Sequence, residues 1–359
     1  VTKANRNAAS GEAHDGDVCV AVLAHNRRQQ CERLLRELVS GFASLAPPRP
    51  RLVLVDNGST DATYEMAQQL ASEAHTIGVE LHCVRCHHNV WAAEGRNVGV
   101  LTTTAAYVVC LDDDVVIAAG ALSGIARFFT AEPRAAVLSF LIREAETGIV
   151  LNDHGSGTEL GVFYEAAFAL RREAFAEVGG FDPQCRFGAE GMDLTMRLRE
   201  RGWRVVYVPE VEVLHPRETR PRAVDLERRR RWVHAYARVF AKNLPLPHAL
   251  LFSVRLLMSS AWVSTPLHGC GAIASLVGDA VRGYRSGMSV RRPISRQSAR
   301  LYLARDFRPD IGNVPVLWKL ARVLMRQARS AMGREPFSAR TVPKPTAHTQ
   351  TSTRTTRQR

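Results

Sequence analysis

Two nucleotide-binding signatures are missing from this chain. No GxGxxG follows its first apolar run and no GxxxxGK[ST] occurs in its 359 residues, so a dinucleotide-binding Rossmann domain and a P-loop ATPase both lose support. The opening segment VTKANRNAASGEAHDGD has no apolar core; residues 1–16 read as disordered rather than as a signal peptide, and a cytoplasmic protein is expected. No uninterrupted apolar run approaches the ~20 residues that span a bilayer. The longest candidate, HALLFSVRLLMSSAWVSTPLHGCGAIASLVGDAVRGY, is broken by Arg255, Pro266, His268 and Asp279, which predicts a helical appendage instead of an anchor. No second CxxC accompanies Cys83 and Cys86 in CVRCHH, so a zinc site there is incomplete, and covalent haem attachment would need export. The seven cysteines are an odd number and Cys19 and Cys110 lie inside apolar runs, which suits reduced thiols. No internal repeat is present.

Acidic residues are scarce in one part only. Residues 1–214 carry 20 Lys and Arg against 28 Asp and Glu, and residues 215–359 carry 28 against 7. The second part therefore points toward an anionic partner: membrane lipid, a phosphorylated acceptor or nucleic acid. Nucleic acid is not expected, because no reading motif or aromatic-basic platform is recognisable.

What is present is a repeated local form. Strand-like runs over 18–24, 51–56, 79–84 and 107–111 alternate with helical patterns such as CERLLRELVSGF, which puts Leu34, Leu35, Leu38 and Phe42 on one face. That order predicts βαβ units and a mainly parallel sheet flanked by helices, an α/β fold. DVCVAVLAHNRR, RLVLVDNGSTDAT and AAYVVCLDDDV each run from apolar residues into polar ones, and the carboxyl ends of parallel strands open on one edge, where ligands bind. Alone, Asp112, Asp113 and Asp114 read as a hydrated acidic turn. At that edge, three adjacent carboxylates at a strand end point to Mg2+ or Mn2+ and to a phosphate. Further on, a helix over 119–130 is expected, then strands through AVLSFLI, TGIVLND and GVFYEAAFALRR that frame an acceptor pocket, and strands ending at His215.

These elements, VAVLAHNRR, LVLVDNGSTDAT, NVWAAEGRNVG, LDDDV, GGFDPQCRFGAEGMDLTMRLRERGW and the His-Pro pair after Leu214, stand in a meaningful order. Over Asp17 to Pro216 the chain resembles an inverting family 2 glycosyltransferase of the GT-A fold. The resemblance implies a nucleotide-diphospho-sugar transferase-like domain over 17–216; beyond it the resemblance thins, and composition alone predicts a basic helical extension over 217–335 and a disordered basic tail over 336–359. The resemblance also implies metal-dependent transfer of a sugar from a nucleotide-diphosphate donor, UDP- or dTDP-linked. The acceptor would be a hydroxyl of a cell-envelope glycan, a lipid-linked intermediate or a small-molecule secondary metabolite. By the same resemblance Asp56 holds the base, Arg96 lies near base or phosphates, and Asp112 contacts ribose or a metal-bound water. Asp113 lines the donor, Asp114 binds the divalent metal, and His215 is its second protein ligand.

The acceptor side departs from the pattern. Where the family reads Glu-Asp-x-Asp, this chain has Glu190, Gly191, Met192 and Asp193, so the position usually assigned the general base is a glycine. Inversion needs a carboxylate near the acceptor hydroxyl. Glu190 is the first candidate, and Asp193, which could equally cap the helix LTMRLRERG, is the second. Trp91 stands where many relatives have glycine, and either narrows the donor pocket or walls a sugar. In the extension, Trp232, Tyr236 and Phe240 recur four apart and read as core. Arg282, Arg285, Arg291 and Arg292 leave open a shallow attachment to anionic lipid, peripheral at the inner face of the membrane. Gly191 and the basic C-terminal part also motivate an alternative: a non-catalytic binding protein on a decayed transferase fold.

Overall fold

A computed structural model describes residues 17–216 and 225–303. The expectations for 1–16 and for 336–359, and part of that for the extension, fall outside the described residues.

Strands β1 (Val18–Ala24), β2 (Arg51–Asp56) and β4 (Tyr107–Asp112) are apolar almost throughout, as strands covered on both faces must be. With β3 (Leu81–Arg85), β5 (Ala135–Glu144), β6 (Ala167–Arg171) and β7 (Arg204–His215) they form one sheet in the order β3-β2-β1-β4-β6-β5-β7. Strand β6 runs antiparallel to β4 and to β5; the other pairs are parallel. Helices α1 (Arg28–Ala43) and α2 (Thr63–Thr76) cover one face, where Leu34, Leu35, Leu38 and Phe42 share a core with Val20 and Leu54. Helices α3 (Trp91–Thr102), α5 (Arg172–Glu177) and α6 (Glu190–Glu200) contribute Val100, Phe175 and Leu194 to the core of the other.

Two expected elements take a different form. The helix over 119–130 is instead a 3-10 turn, Ala119–Leu122, and a separate α4, Ile125–Ala131. Gly124 between them has φ +89°, a left-handed conformation that breaks the helix and that glycine adopts without strain. TGIVLND is not a strand; a single bridge pairs Arg143 with Val150. The side chain of Asn152 takes the ladder's place there, accepting from Ile142 N–H at 2.7 Å and donating to the Phe140 carbonyl at 2.7 Å.

Beyond the sheet come α7 (Leu226–Asn243), α8 (Leu246–His268), α9 (Gly271–Ser289) and α10 (Arg296–Leu303). Trp232, Tyr236 and Phe240 are buried in one cluster with Met192 and Met196 of α6, as their spacing predicts. Helices α7 and α9 cross closely at two glycines: a Cβ on Gly283 would lie 2.1 Å from the His234 carbonyl oxygen, and one on Gly287 2.3 Å from that of Arg238. The basic excess of this part is partly consumed internally. Arg238 and Lys242 pair with Asp182 at 2.9 and 2.7 Å, and Arg230 pairs with Asp279 at 2.7 Å.

Helix α8 corrects the expectation that breaks in the sequence exclude a span. Arg255 does not interrupt it, and Pro266 lies in its last turn, beyond most of the apolar residues. Its stretch Leu246–Pro266, 21 residues, is long and apolar enough to cross a membrane by length and composition, and 35% of it is buried within the protein.

Candidate active site

Parallel pairing sets the site. Ala24 at the end of β1 is level with Asp56 on β2, and Leu23 with Asp112 on β4, so both carboxylates flank one strand end. Asp56 is fully buried. Its Oδ1 accepts from Ser59 N–H at 3.1 Å, Arg85 stands 3.4 Å from Oδ2, and Oδ2 itself makes no hydrogen bond. A buried carboxylate oxygen without a donor is costly, which suits a ligand group that arrives to fill it. The neighbouring turn is locked to the other loops: Asn57 Oδ1 accepts from Val90 N–H at 2.8 Å, and Asn26 Oδ1 from Thr60 N–H at 2.8 Å.

Arg96, on α3, is almost fully buried and serves as a hub. It donates to Asp112 Oδ1 at 2.8 Å and to the Glu165 carbonyl at 2.9 Å, and it lies 3.8 Å from Glu190 Oε1. It therefore reaches the start of α6 at Glu190 as well as Asp112 at the end of β4. Burial pushes the Asp112 carboxyl up, and Arg96 works against that. Next to Arg96, Asn97 holds the Gly-Gly-Phe turn by both ends, donating to the Phe181 carbonyl at 3.0 Å and accepting from Phe181 N–H at 2.9 Å.

Asp113 accepts from His25 N–H at 3.0 Å and pairs with Arg27 at 3.2 Å. Burial pushes its carboxyl up to about 7 against the pull of Arg27. Arg27 also contacts Asp114 Oδ2. Asp114 Oδ1 is buried, makes no hydrogen bond, and faces His215 Nε2 at 3.9 Å. Among the described residues no group of three or more His, Cys, Asp and Glu is placed to hold a metal. Mg2+ needs few protein ligands where water or phosphate oxygens can supply the others, so a pair of protein groups would be enough to hold it. An orphaned carboxylate oxygen opposite an imidazole nitrogen meets that requirement, and the Arg27 guanidinium supplies positive charge to the same carboxylates.

The carboxylates around the first turn of α6 differ in their partners. Glu190 opens α6, is 2% exposed, and accepts from Ala189 N–H at 2.7 Å. Asp193 is 0% exposed and bonded throughout, to Arg197 at 2.6 Å, Asn243 at 2.7 Å and Lys242 at 2.9 Å. Burial alone would raise its carboxyl, but Arg197 and Lys242 hold it down at about 2. Glu165 is the third carboxylate, absent from the sequence reading. Its Oε1 accepts from Gly191 N–H at 2.5 Å, and it is only half-buried.

Trp91 adopts φ +68°, a conformation that disfavours side chains, which accounts for the glycine expected there. Asn89 Oδ1 holds it by accepting from Trp91 N–H at 2.8 Å, and the ring lies between Arg231 at 4.9 Å and Arg186 at 6.0 Å. The loop that leads into α3 is thus tied to α7. Arg27 was legible only as the end of the first strand-loop motif, and Arg231 only as one of a basic run.

Comparison with known proteins adds an independent line. The model of the family "Glycosyl transferase family 2" matches residues 19–181, and that of "Glycosyl transferase family group 2" matches residues 156–281. The N-acetylglucosaminyl-diphospho-decaprenol L-rhamnosyltransferase of Mycobacterium tuberculosis is 28% identical over 234 residues, 55% of this chain and 75% of that protein. The pre-mycofactocin glycosyltransferase of the same organism is 30% identical over 312 residues; the match takes in 81% of this chain but only 61% of that longer relative. Among solved structures, the mannosyltransferase PcManGT from Pyrobaculum calidifontis, in complex with GDP-Man and Mn2+, superposes with a TM-score of 0.51 at 21% identity, over 77% of this chain and 86% of that one. At that identity the likeness speaks to the shared fold.

Proposed function

The chain belongs to the family 2 glycosyltransferases, and on that footing we propose that it transfers a sugar, with inversion, from a uridine or thymidine diphosphate donor to an acceptor hydroxyl with the help of Mg2+ or Mn2+. The observation that carries the metal-dependent reading is Asp114 Oδ1, buried without a hydrogen bond and facing His215 Nε2. Asp114 and His215 would hold the cation, which when bound stabilises negative charge developing on the leaving diphosphate.

The chain's own residues do the rest. Asp56 presents its unfilled Oδ2 to a base ring N–H, with the Ser59 amide fixing the carboxylate's orientation. Asp112 accepts from the ribose, its rotamer set by Arg96. Asp113, held by His25 N–H, lines the donor. Trp91 forms an aromatic wall whose position is set by Arg231 and Arg186. Asp193 we assign to joining α6 to α7, since all its oxygens are engaged away from solvent.

The acceptor is proposed to be lipid-linked, in line with the decaprenol-linked substrate named for the rhamnosyltransferase relative. Helix α8 supports this: Leu250, Val254, Met258 and Trp262 are exposed at four-residue spacing, and Val277 and Val281 are exposed on α9. With exposed Arg285 and Arg292 nearby, that surface suits the anionic inner face of a membrane. A panel of UDP-, dTDP- and GDP-sugars with Mg2+ or Mn2+, scored by thermal shift and then by nucleoside diphosphate release, tests the donor half. Failure of every donor to bind or turn over would overturn the reading. Sedimentation with vesicles tests the surface: binding to phosphatidylglycerol vesicles that falls at high salt and with Met258→Asp is expected, and equal recovery without vesicles counts against it.

A further inference from the structure

We propose that Glu165 is the carboxylate that takes the proton from the acceptor hydroxyl, lying in the space that a side chain at position 191 would fill. The inference rests on the transferase reading above and deepens it.

The geometry begins with the sheet. Strand β6 pairs antiparallel to β4 with Leu111 opposite Ala167, and Asp112 N–H donates to the Ala166 carbonyl at 2.9 Å. Continued by one step, this register brings Glu165 beside the acidic turn at Asp112 to Asp114. Arg96 fixes the segment there by donating to the Glu165 carbonyl at 2.9 Å while holding Asp112 at 2.8 Å. The Glu165 side chain then reaches the first turn of α6, where Oε1 accepts from Gly191 N–H at 2.5 Å. A Cβ built on Gly191 would lie 2.7 Å from that oxygen and 3.3 Å from the carboxyl carbon. A side chain at position 191 would displace the end of Glu165, because the contact is tighter than real Cβ atoms make and the flexible carboxylate is the group that can shift. The carboxylate is thus delivered to the start of α6 from the segment that leads into β6.

Access separates the candidates. Over the whole residue Glu190 is 2% exposed and Asp193 0%, whereas Glu165 keeps part of its surface exposed while its carboxyl is buried beside Arg96 and Glu190. The groups facing Glu165 are Arg96 from α3, Asp112 from β4 and Glu190 from α6. Burial, and then the Glu190 charge, push Glu165 up to about 8, so one proton is retained by the pair near neutrality and a base form accumulates as the pH rises. In the step itself the acceptor O–H gives its proton to the free oxygen of Glu165 while that acceptor oxygen bonds to the anomeric carbon. The bond from the anomeric carbon to the phosphate oxygen breaks, and its electron pair leaves with the diphosphate.

The test uses the full chain with UDP-GlcNAc, dTDP-rhamnose and GDP-mannose, Mn2+, and water as the acceptor, reading nucleoside diphosphate release. Glu165→Gln is expected to lower kcat by about 100-fold, the size of a lost general base, with donor affinity in a thermal-shift titration within about 3-fold of wild type. Glu190→Gln removes a negative neighbour and is expected to move the acid limb of the kcat/KM profile to lower pH. A folded Glu165→Gln protein with kcat within about 3-fold of wild type overturns the proposal, as does an acid limb that Glu190→Gln leaves in place. A wild-type chain that neither binds nor turns over any donor overturns the transferase reading, and this inference with it; normal donor turnover in Glu165→Gln overturns this inference alone.

Discussion

Asp193 Oδ1 accepts a hydrogen bond from Asn243 Nδ2 at 2.7 Å, joining the first turn of α6 to the end of α7. The same carboxylate pairs with Lys242 at 2.9 Å and Arg197 at 2.6 Å, and it has no exposed surface. Removing one partner of a buried ion network strands the others, at a cost of about 3–5 kcal/mol. Asp193→Ala is therefore expected to lose about that much in urea unfolding, with Asp193→Asn losing less because it keeps shape and one acceptor. A stability for Asp193→Ala within about 1 kcal/mol of wild type would show that the network adds little.

The same network makes a pH prediction. Asp193 is held at about 2 against an ordinary value of 3.8, and Asp182 is lowered too: burial raises it, and Lys242 and Arg238 together more than compensate. A carboxylate with a depressed folded value stabilises fully above its unfolded value and loses that stability as the pH falls through the folded one. The window lies between about pH 4 and pH 2, and Asp193 alone accounts for on the order of 2 kcal/mol there. Thermal unfolding from pH 5 down to pH 2 should show a steeper decline for wild type than for Asp193→Asn; parallel declines would assign the acid sensitivity elsewhere.

Metal affinity should respond to Arg27 in the opposite sense to Asp114. Arg27 contacts both Asp113 and Asp114, so a cation entering between Asp114 and His215 competes with a guanidinium already there. Arg27→Gln is expected to tighten Mn2+ binding several-fold, and Asp114→Ala to weaken it at least 10-fold, both read by the loss of the free Mn2+ electron paramagnetic resonance signal. Weaker Mn2+ binding in Arg27→Gln would mean that the arginine holds the acidic turn in shape instead of competing for it.

Much of this was legible in the chain itself, for identifiable reasons. The strands β1, β2 and β4 are buried on both faces, so their apolar runs stand out and their ends place Asp56, Asp112 and Asp114 on one edge. Glu165 was not legible, because its position follows from the antiparallel register of β6 against β4, a pairing between residues about sixty apart that no local pattern specifies. Arg96 was recognised as a site residue, but its reach to Glu190 depends on how α3 crosses the strand ends. Polar interruptions in α8 read as breaks, yet a single arginine leaves a helix continuous when its backbone hydrogen bonds are intact.

Trp91 offers a contest between two terms of similar size. A non-glycine residue at φ +68° carries a backbone cost of about 1–2 kcal/mol, while the ring's contact with Arg231 at 4.9 Å contributes about 0.5–1 kcal/mol at a partly exposed site. Trp91→Gly removes both the strain and the ring, so its stability should fall close to wild type. Trp91→Ala removes the ring and keeps the strain, so it should be the less stable of the two by about 1 kcal/mol. Urea midpoints at constant slope decide this: if the alanine variant matches the glycine variant, the left-handed backbone is not what the position demands. Donor titration separates the second role. Loss of nucleotide-sugar affinity in both variants alike would place the indole against the donor, whereas unchanged affinity would leave it as the link between the loop before α3 and α7.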